Sequence, residues 1–312
     1  GVALSPSGKF AGQVRRAGGV SELFVRPTDR STKAAHVTGP ANFAKGVTRI
    51  VGLQSTTDDS LLFWAGISDS LYELFQFSPS TGVVSNLLRP SSAKKPFDVS
   101  GGLSPLGAWS SPNRKYFYVV QMSAGSNSGL LAVDLGTKKV TEMLPGKITL
   151  QVAQARSGGK VFMAAFSKVY PRDDELYVFD QNNASKPVKL TSLTGTLPYP
   201  ASIMDSVTVF RIYPNRRGTM AAFHVGFDGA SVNSQLGLHL VSSSGAFKAR
   251  RLTKDVAFTS PGVLFSDDDK LLLYGPGMNS SMKGLWAKPV TGGPAKKLSS
   301  VNGFALPIAT WR

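Results

Sequence analysis

The sequence predicts an all-β fold: a six-bladed β-propeller of four-stranded antiparallel blades, a single domain over residues 1–312, with seven blades as the alternative count. Three observations predict it. A polar turn followed by a short apolar strand recurs six times along the chain. Each recurrence is preceded by one further strand pattern and followed by two, so the unit holds four strands in roughly 50 residues. No segment sustains the 3.6-residue apolar period of an amphipathic helix.

The turns come first, because they set the register of everything else. They read "SPSGKFAGQV" from Ser5, "TTDDSLLFWAG" from Thr56, "SPNRKYFYVVQ" from Ser111, "RSGGKVFMAAF" from Arg156, "PNRRGTMAAFHV" from Pro214 and "SDDDKLLLYG" from Ser266. Pro presets φ at the second turn position, and Asp, Asn or Gly supply the conformations that follow. The next strands are "ELFVRPT" from Glu22, "LYELFQFS" from Leu71, "GLLAVDLG" from Gly129, "ELYVFDQ" from Glu175, "LGLHLVSS" from Leu236 and "GLWAKPV" from Gly284. Outermost strands begin at Val83, Lys138, Lys186, Lys248 and Lys296, and apolar inner strands precede each turn, as in "VTRIVGLQ" and "SVTVFRIY". "FALPIATWR", from Phe304, has the character of an inner strand, and is expected to close the ring within the first blade.

Bulk properties bound the function. With 42% hydrophobic and 17% charged residues the chain has globular composition. Its apolar runs are a few residues long, far short of the ~18 needed for a membrane-spanning helix. There is no cysteine, which excludes disulfides, thiolate metal sites and cysteine nucleophiles. The chain opens at Gly1 without an initiator Met or a charged-then-apolar leader, as after removal of a leader or excision of a segment. The formal charge is +16, a field that attracts anionic partners. Many of the cations fall on outermost strands: Lys138, Lys139, Lys186, Lys189, Lys248, Arg250, Arg251, Lys296 and Lys297. Lysine there keeps sheet edges from pairing with other chains, and the charge is expected to be spread around the rim. Nucleic acid is not favoured, since no focused patch with stacking aromatics is present.

Side chains able to carry chemistry are few. Asp58, Asp59 and Asp267–Asp269 sit in the repeated turns, where Asp caps its own backbone. His224 and His239 lie inside strands and read as packed residues. His36 lies in the long stretch "KAAHVTGPANFAKG" and is expected in an inter-blade connection, facing the central channel. No G-x-S-x-G elbow, H-E-x-x-H pair or phosphate-cradling loop occurs. No catalytic residue, metal site or cofactor is assigned.

The blade resembles the TolB-like propeller repeat, a W-S-P-D-G-K turn followed by I-A-F and I-Y-V-x-D strands, a G-G turn and a closing L-T. The matching pieces are Ser5-Pro6-Ser7-Gly8-Lys9, Ser111-Pro112-Asn113, Leu176-Tyr177-Val178-Phe179-Asp180, Gly292-Gly293 and Leu252-Thr253. The likeness covers nearly the whole chain, although no blade carries the full turn motif. It implies a propeller and leaves function open, because such blades serve both binding proteins and enzymes.

Propeller ligands meet the face built by inter-blade connections and by the loops joining second and third strands. The expected contact residues are Arg15, Arg16, His36, Tyr170, Arg172, Asp173, Asp174, Asp228, Asn279 and Lys283. The expected function is a non-catalytic binding or scaffold propeller of the bacterial cell envelope or secreted fraction. It would be periplasmic or secreted, monomeric, and directed at a protein or an acidic glycan. The alternatives are a polysaccharide lyase or hydrolase, or the propeller part of a larger prolyl-oligopeptidase-like enzyme.

Overall fold

A computed structural model describes residues 2–44, 46–56, 58–66, 72–87, 108–121, 129–167, 174–193, 207–227, 237–244, 249–253, 262–275 and 284–299. The described residues are all-β. They form six four-stranded antiparallel sheets, the blade unit of a β-propeller repeated six times, and in every sheet the strands neighbour one another in chain order.

The first sheet comprises β1 (Val2–Leu4), β2 (Phe10–Ala17), β3 (Val20–Pro27) and β4 (Ala35–His36); the second, β5 (Arg49–Ser55), β6 (Leu61–Gly66), β7 (Tyr72–Ser78) and β8 (Val83–Asn86). The third comprises β9 (Ala108–Ser110), β10 (Tyr116–Gln121), β11 (Gly129–Asp134) and β12 (Val140–Glu142); the fourth, β13 (Lys147–Gln154), β14 (Lys160–Ser167), β15 (Glu175–Asp180) and β16 (Val188–Lys189). The fifth has β17 (Val207–Pro214), β18 (Met220–Phe227), β19 (Gly237–Ser242) and β20 (Arg250–Arg251); the sixth, β21 (Val263–Phe265), β22 (Leu271–Tyr274), β23 (Leu285–Pro289) and β24 (Lys296–Ser299).

One expectation changes in the first sheet. Its outer strand is Ala35–His36, pairing with Val25 and Phe24, so His36 stands on a strand and not in a connection. Its four strands come from residues 2–36; the closing strand expected from Phe304 to Arg312 lies outside the described residues. In the third sheet, Lys138 and Lys139 fall in the turn before β12, and Lys138 adopts φ 62°.

The repeated turn keeps one geometry despite its varied sequence. Gly8 N donates to Ser5 O at 2.9 Å, Arg114 N to Ser111 O at 2.8 Å and Asp269 N to Ser266 O at 2.9 Å. The turn serine also folds back: Ser111 Oγ accepts from Tyr116 N at 3.0 Å and Ser266 Oγ from Leu271 N at 2.9 Å. The acidic clusters serve these turns. Asp268 accepts from Ser266 Oγ at 2.6 Å and from Lys270 N at 3.2 Å, and Asp58 accepts from the Thr56 hydroxyl.

Contacts divide the chain into two compact units, Gly1–Pro145 and Gly146–Arg312. In the first unit, β6 is buried along its whole length. Leu61, Phe63 and Ala65 pack with Leu23 and Val25 of the first sheet, whereas Leu62 and Trp64 pack with Phe117, Val119 and Leu131 of the third. Burial on both faces explains why the strand reads as a continuous apolar run. In the second unit, Phe223 and Val225 join Phe162, Leu176 and Val178 of the fourth sheet, while Ala222, Leu238 and Leu240 join Val263, Leu272 and Tyr274 of the sixth.

Candidate functional site

Side-chain alternation places the residues of this site. On β3, Leu23 and Val25 turn to the second sheet, so Glu22 and Phe24 turn to the opposite face. Cross-strand pairing sets Arg15 opposite Glu22, and both Gln13 and His36 opposite Phe24. These residues therefore share one face of the first sheet.

The contacts on that face are specific. The His36 ring stacks on Phe24 with centroids 4.5 Å apart and planes 16° apart. The Arg15 guanidinium lies over the Phe24 ring at 5.2 Å, within the range of a cation–π contact. His36 Nε2 stands 3.4 Å from Glu22 Oε1. Gly39 holds the ring from behind: a Cβ there would sit 3.1 Å from His36 Nδ1.

Beside this array lies a cavity of about 150 Å³, walled by Ser21, Glu22, His36, Thr38, Pro40 and Phe43. It opens where the β2–β3 hairpin meets the connection running on from β4. Backbone and side-chain bonds fix that connection. Ser21 N donates to Val47 O at 3.0 Å, Phe43 N to Gly39 O at 3.0 Å and Asn42 Nδ2 to Val37 O at 2.8 Å. A cavity of that size takes one ring-sized group. Its wall offers a carboxylate acceptor, an imidazole and two hydroxyls next to apolar surface, with a guanidinium nearby.

Of the expected contact residues, the structure brings Arg15 and His36 together through Phe24. Arg16 pairs with Ser21 and points to the other face of the strand. Asp174 lies elsewhere, in the second unit, and differs from expectation. It is buried and accepts from Val209 N at 3.2 Å, so it ties the fourth sheet to the fifth and does not line an open loop. Tyr170, Arg172, Asp173, Asp228, Asn279 and Lys283 lie outside the described residues. Sequence reasoning missed Phe24 and Glu22; the two-residue spacing from Glu22 to Phe24 and the basic pair Arg15–Arg16 across the hairpin were the available signals.

The fifth sheet holds the other two histidines. His224 and His239 are buried and their Nε2 atoms have no hydrogen-bond partner. Burial pushes both down to about 4, with Arg211 adding to the effect at His224 and a bond to Gly237 O opposing it at His239. Tyr213 meets His224 edge-on at 5.7 Å. Among the described residues, no group of three or more His, Asp and Glu gathers as a metal site.

No protein-family model matches this chain, and no curated protein matches it. Solved structures do. TolB from Acinetobacter baumannii is 14% identical with a TM-score of 0.36, over 91% of this chain and 62% of that one. An oligogalacturonate lyase in complex with manganese is 13% identical with a TM-score of 0.41, over 91% of this chain and 74% of that one. A prolyl endopeptidase is 10% identical with a TM-score of 0.46, over 95% of this chain and 41% of that one. The chain thus spans less than two thirds of the TolB it matches. The described residues by themselves give six four-stranded antiparallel sheets.

Proposed function

We propose that the chain is a single-domain, non-catalytic binding propeller of the cell envelope or secreted fraction. Its ligand is an acidic glycan, received at the hairpin end of the first blade. The observation that carries this reading is the Arg15–Phe24–His36 array beside the cavity. Sugar hydroxyls donate to Glu22 and accept from Ser21 and Thr38. The apolar face of a sugar ring rests on Pro40 and Phe43, and Arg15 meets the carboxylate in a charge-assisted bond. A wall carrying Glu22 disfavours a bare anion and suits a ligand rich in donors.

An array of neutral and uronate-containing oligosaccharides, together with an acidic peptide, tests this. Binding of the uronates that weakens with added salt is the expected result. Equal binding of neutral glycans, preference for the peptide, or indifference to salt overturns it.

A further inference from the structure

The outer strands of the two units differ in charge. In Gly1–Pro145 they are β4, β8 and β12, and these hold no Lys or Arg. In Gly146–Arg312 they are β16, β20 and β24, which carry Lys189, Arg250, Arg251, Lys296 and Lys297 and no acidic residue. Sheet edges are protected by charge or by being very short, among other devices; β16 and β20 are as short as β4, so edge protection does not account for this one-sidedness.

Lys189 is met by the buried Glu175 carboxylate at 3.0 Å; the fifth and sixth sheets carry most of the field. Arg250 Nη1 donates to Thr291 O at 2.9 Å, joining β20 to the turn before β24. The acidic residues of the sixth sheet, Asp267–Asp269, lie in its first turn, where Asp268 meets Lys270 at 3.7 Å, and no Asp or Glu occurs from Lys270 to Arg312. Exposed aliphatics stand among these cations: Leu298 beside Lys297 is 51% exposed and Val188 beside Lys189 is 52% exposed.

We propose that this rim of the second unit docks on an anionic phospholipid bilayer. Cations near such a surface are attracted by its negative potential, and aliphatic side chains beside them enter the headgroup boundary. A single-stranded nucleic acid would call for stacking aromatics, and these three strands have none. A soluble acidic polymer would use the charges and leave Leu298 and Val188 in water.

Co-sedimentation of the full chain with vesicles tests the proposal. Vesicles of phosphatidylcholine mixed with phosphatidylglycerol are expected to bind the chain and those of phosphatidylcholine alone are not, with binding falling as salt rises. Lys296→Glu together with Lys297→Glu is expected to lower partitioning about tenfold or more. Leu298→Ser is expected to weaken vesicle binding while leaving retention on soluble heparin unchanged, and Val83→Glu on β8 to change neither. Absent binding, equal binding to neutral vesicles, or full binding by the lysine variant overturns it. Heparin retention with no effect of Leu298→Ser on vesicles assigns the rim to a soluble acidic polymer instead.

Discussion

Thr191 Oγ1 accepts a hydrogen bond from Leu176 N at 2.8 Å, clasping the fourth sheet just beyond its outer strand. The first sheet repeats the bond between Thr38 and Leu23 at 2.9 Å with the same spacing of fifteen residues. A glutamate precedes each leucine and reaches the outer strand, Glu175 to Lys189 at 3.0 Å and Glu22 to His36 at 3.4 Å. Glu73 meets Asn86 in the second sheet in the same way. His36 thus occupies a structural position of the repeat. Exposure sets it apart: the Glu175 side chain is fully buried, whereas that of Glu22 is 32% exposed.

Thr191→Val is therefore expected to destabilise the protein by about 1–3 kcal/mol, since it strands a buried amide and removes a donor to Glu175. Thr38→Val should cost less, because water reaches Glu22. Urea unfolding of both variants checks the order; equal costs would show that the clasp does not depend on its glutamate.

Acid should weaken the fifth sheet. His224 and His239 are held at about 4 by burial, below the 6.5 of an unfolded chain. Between those values the unfolded state binds more protons, so stability rises with pH and is lost as pH falls from about 6.5 to 4. The loss is on the order of 3 kcal/mol for each histidine. Urea midpoints across this range should flatten in the His224→Leu and His239→Leu variants. An unchanged slope would refute the assignment.

Glycine is required at position 284. Its φ is 101°, and a Cβ there would lie 1.8 Å from Ser299 O. Gly284→Ala is expected to push β24 from β23 and cost about 3 kcal/mol or more. Gly8→Ala meets nothing within 4 Å at φ 71°, and so carries only the left-handed backbone penalty of about 1–2 kcal/mol. Thermal melts of the two variants should separate clearly.

At the first blade, Arg15→Ala is expected to weaken uronate binding about tenfold while leaving the unfolding free energy within about 0.5 kcal/mol of the parent. Phe24→Ala should impair binding as well, by releasing both Arg15 and His36. Calorimetric titration beside urea unfolding checks the pair; unaltered affinity in both variants removes the site.

Turns beginning at Ser5, Ser111 and Ser266, and the strands after them, were legible because their causes are local. Serine, aspartate and glycine close the turn within five residues, and alternation or a short apolar run marks the strand. Ala35–His36 was not legible. Two paired residues carry no pattern of their own, and the edge offered by Phe24 and Val25 recruits them. Lys138 and Lys139 resemble the lysines that open other outer strands, yet the Asp134 turn takes them: Lys138 N donates to Asp134 O at 2.8 Å.

The sequence by itself determined the four-stranded unit, its sixfold recurrence and the structural duty of the turn aspartates. Only the tertiary structure decided which copy of the repeated glutamate stays open to water, that Asp174 is buried, and that outer-strand charge gathers in one unit. Turn chemistry and strand period act between neighbours in the chain. Burial and charge clustering depend on which sheet covers which face, and residues far apart in sequence settle that together.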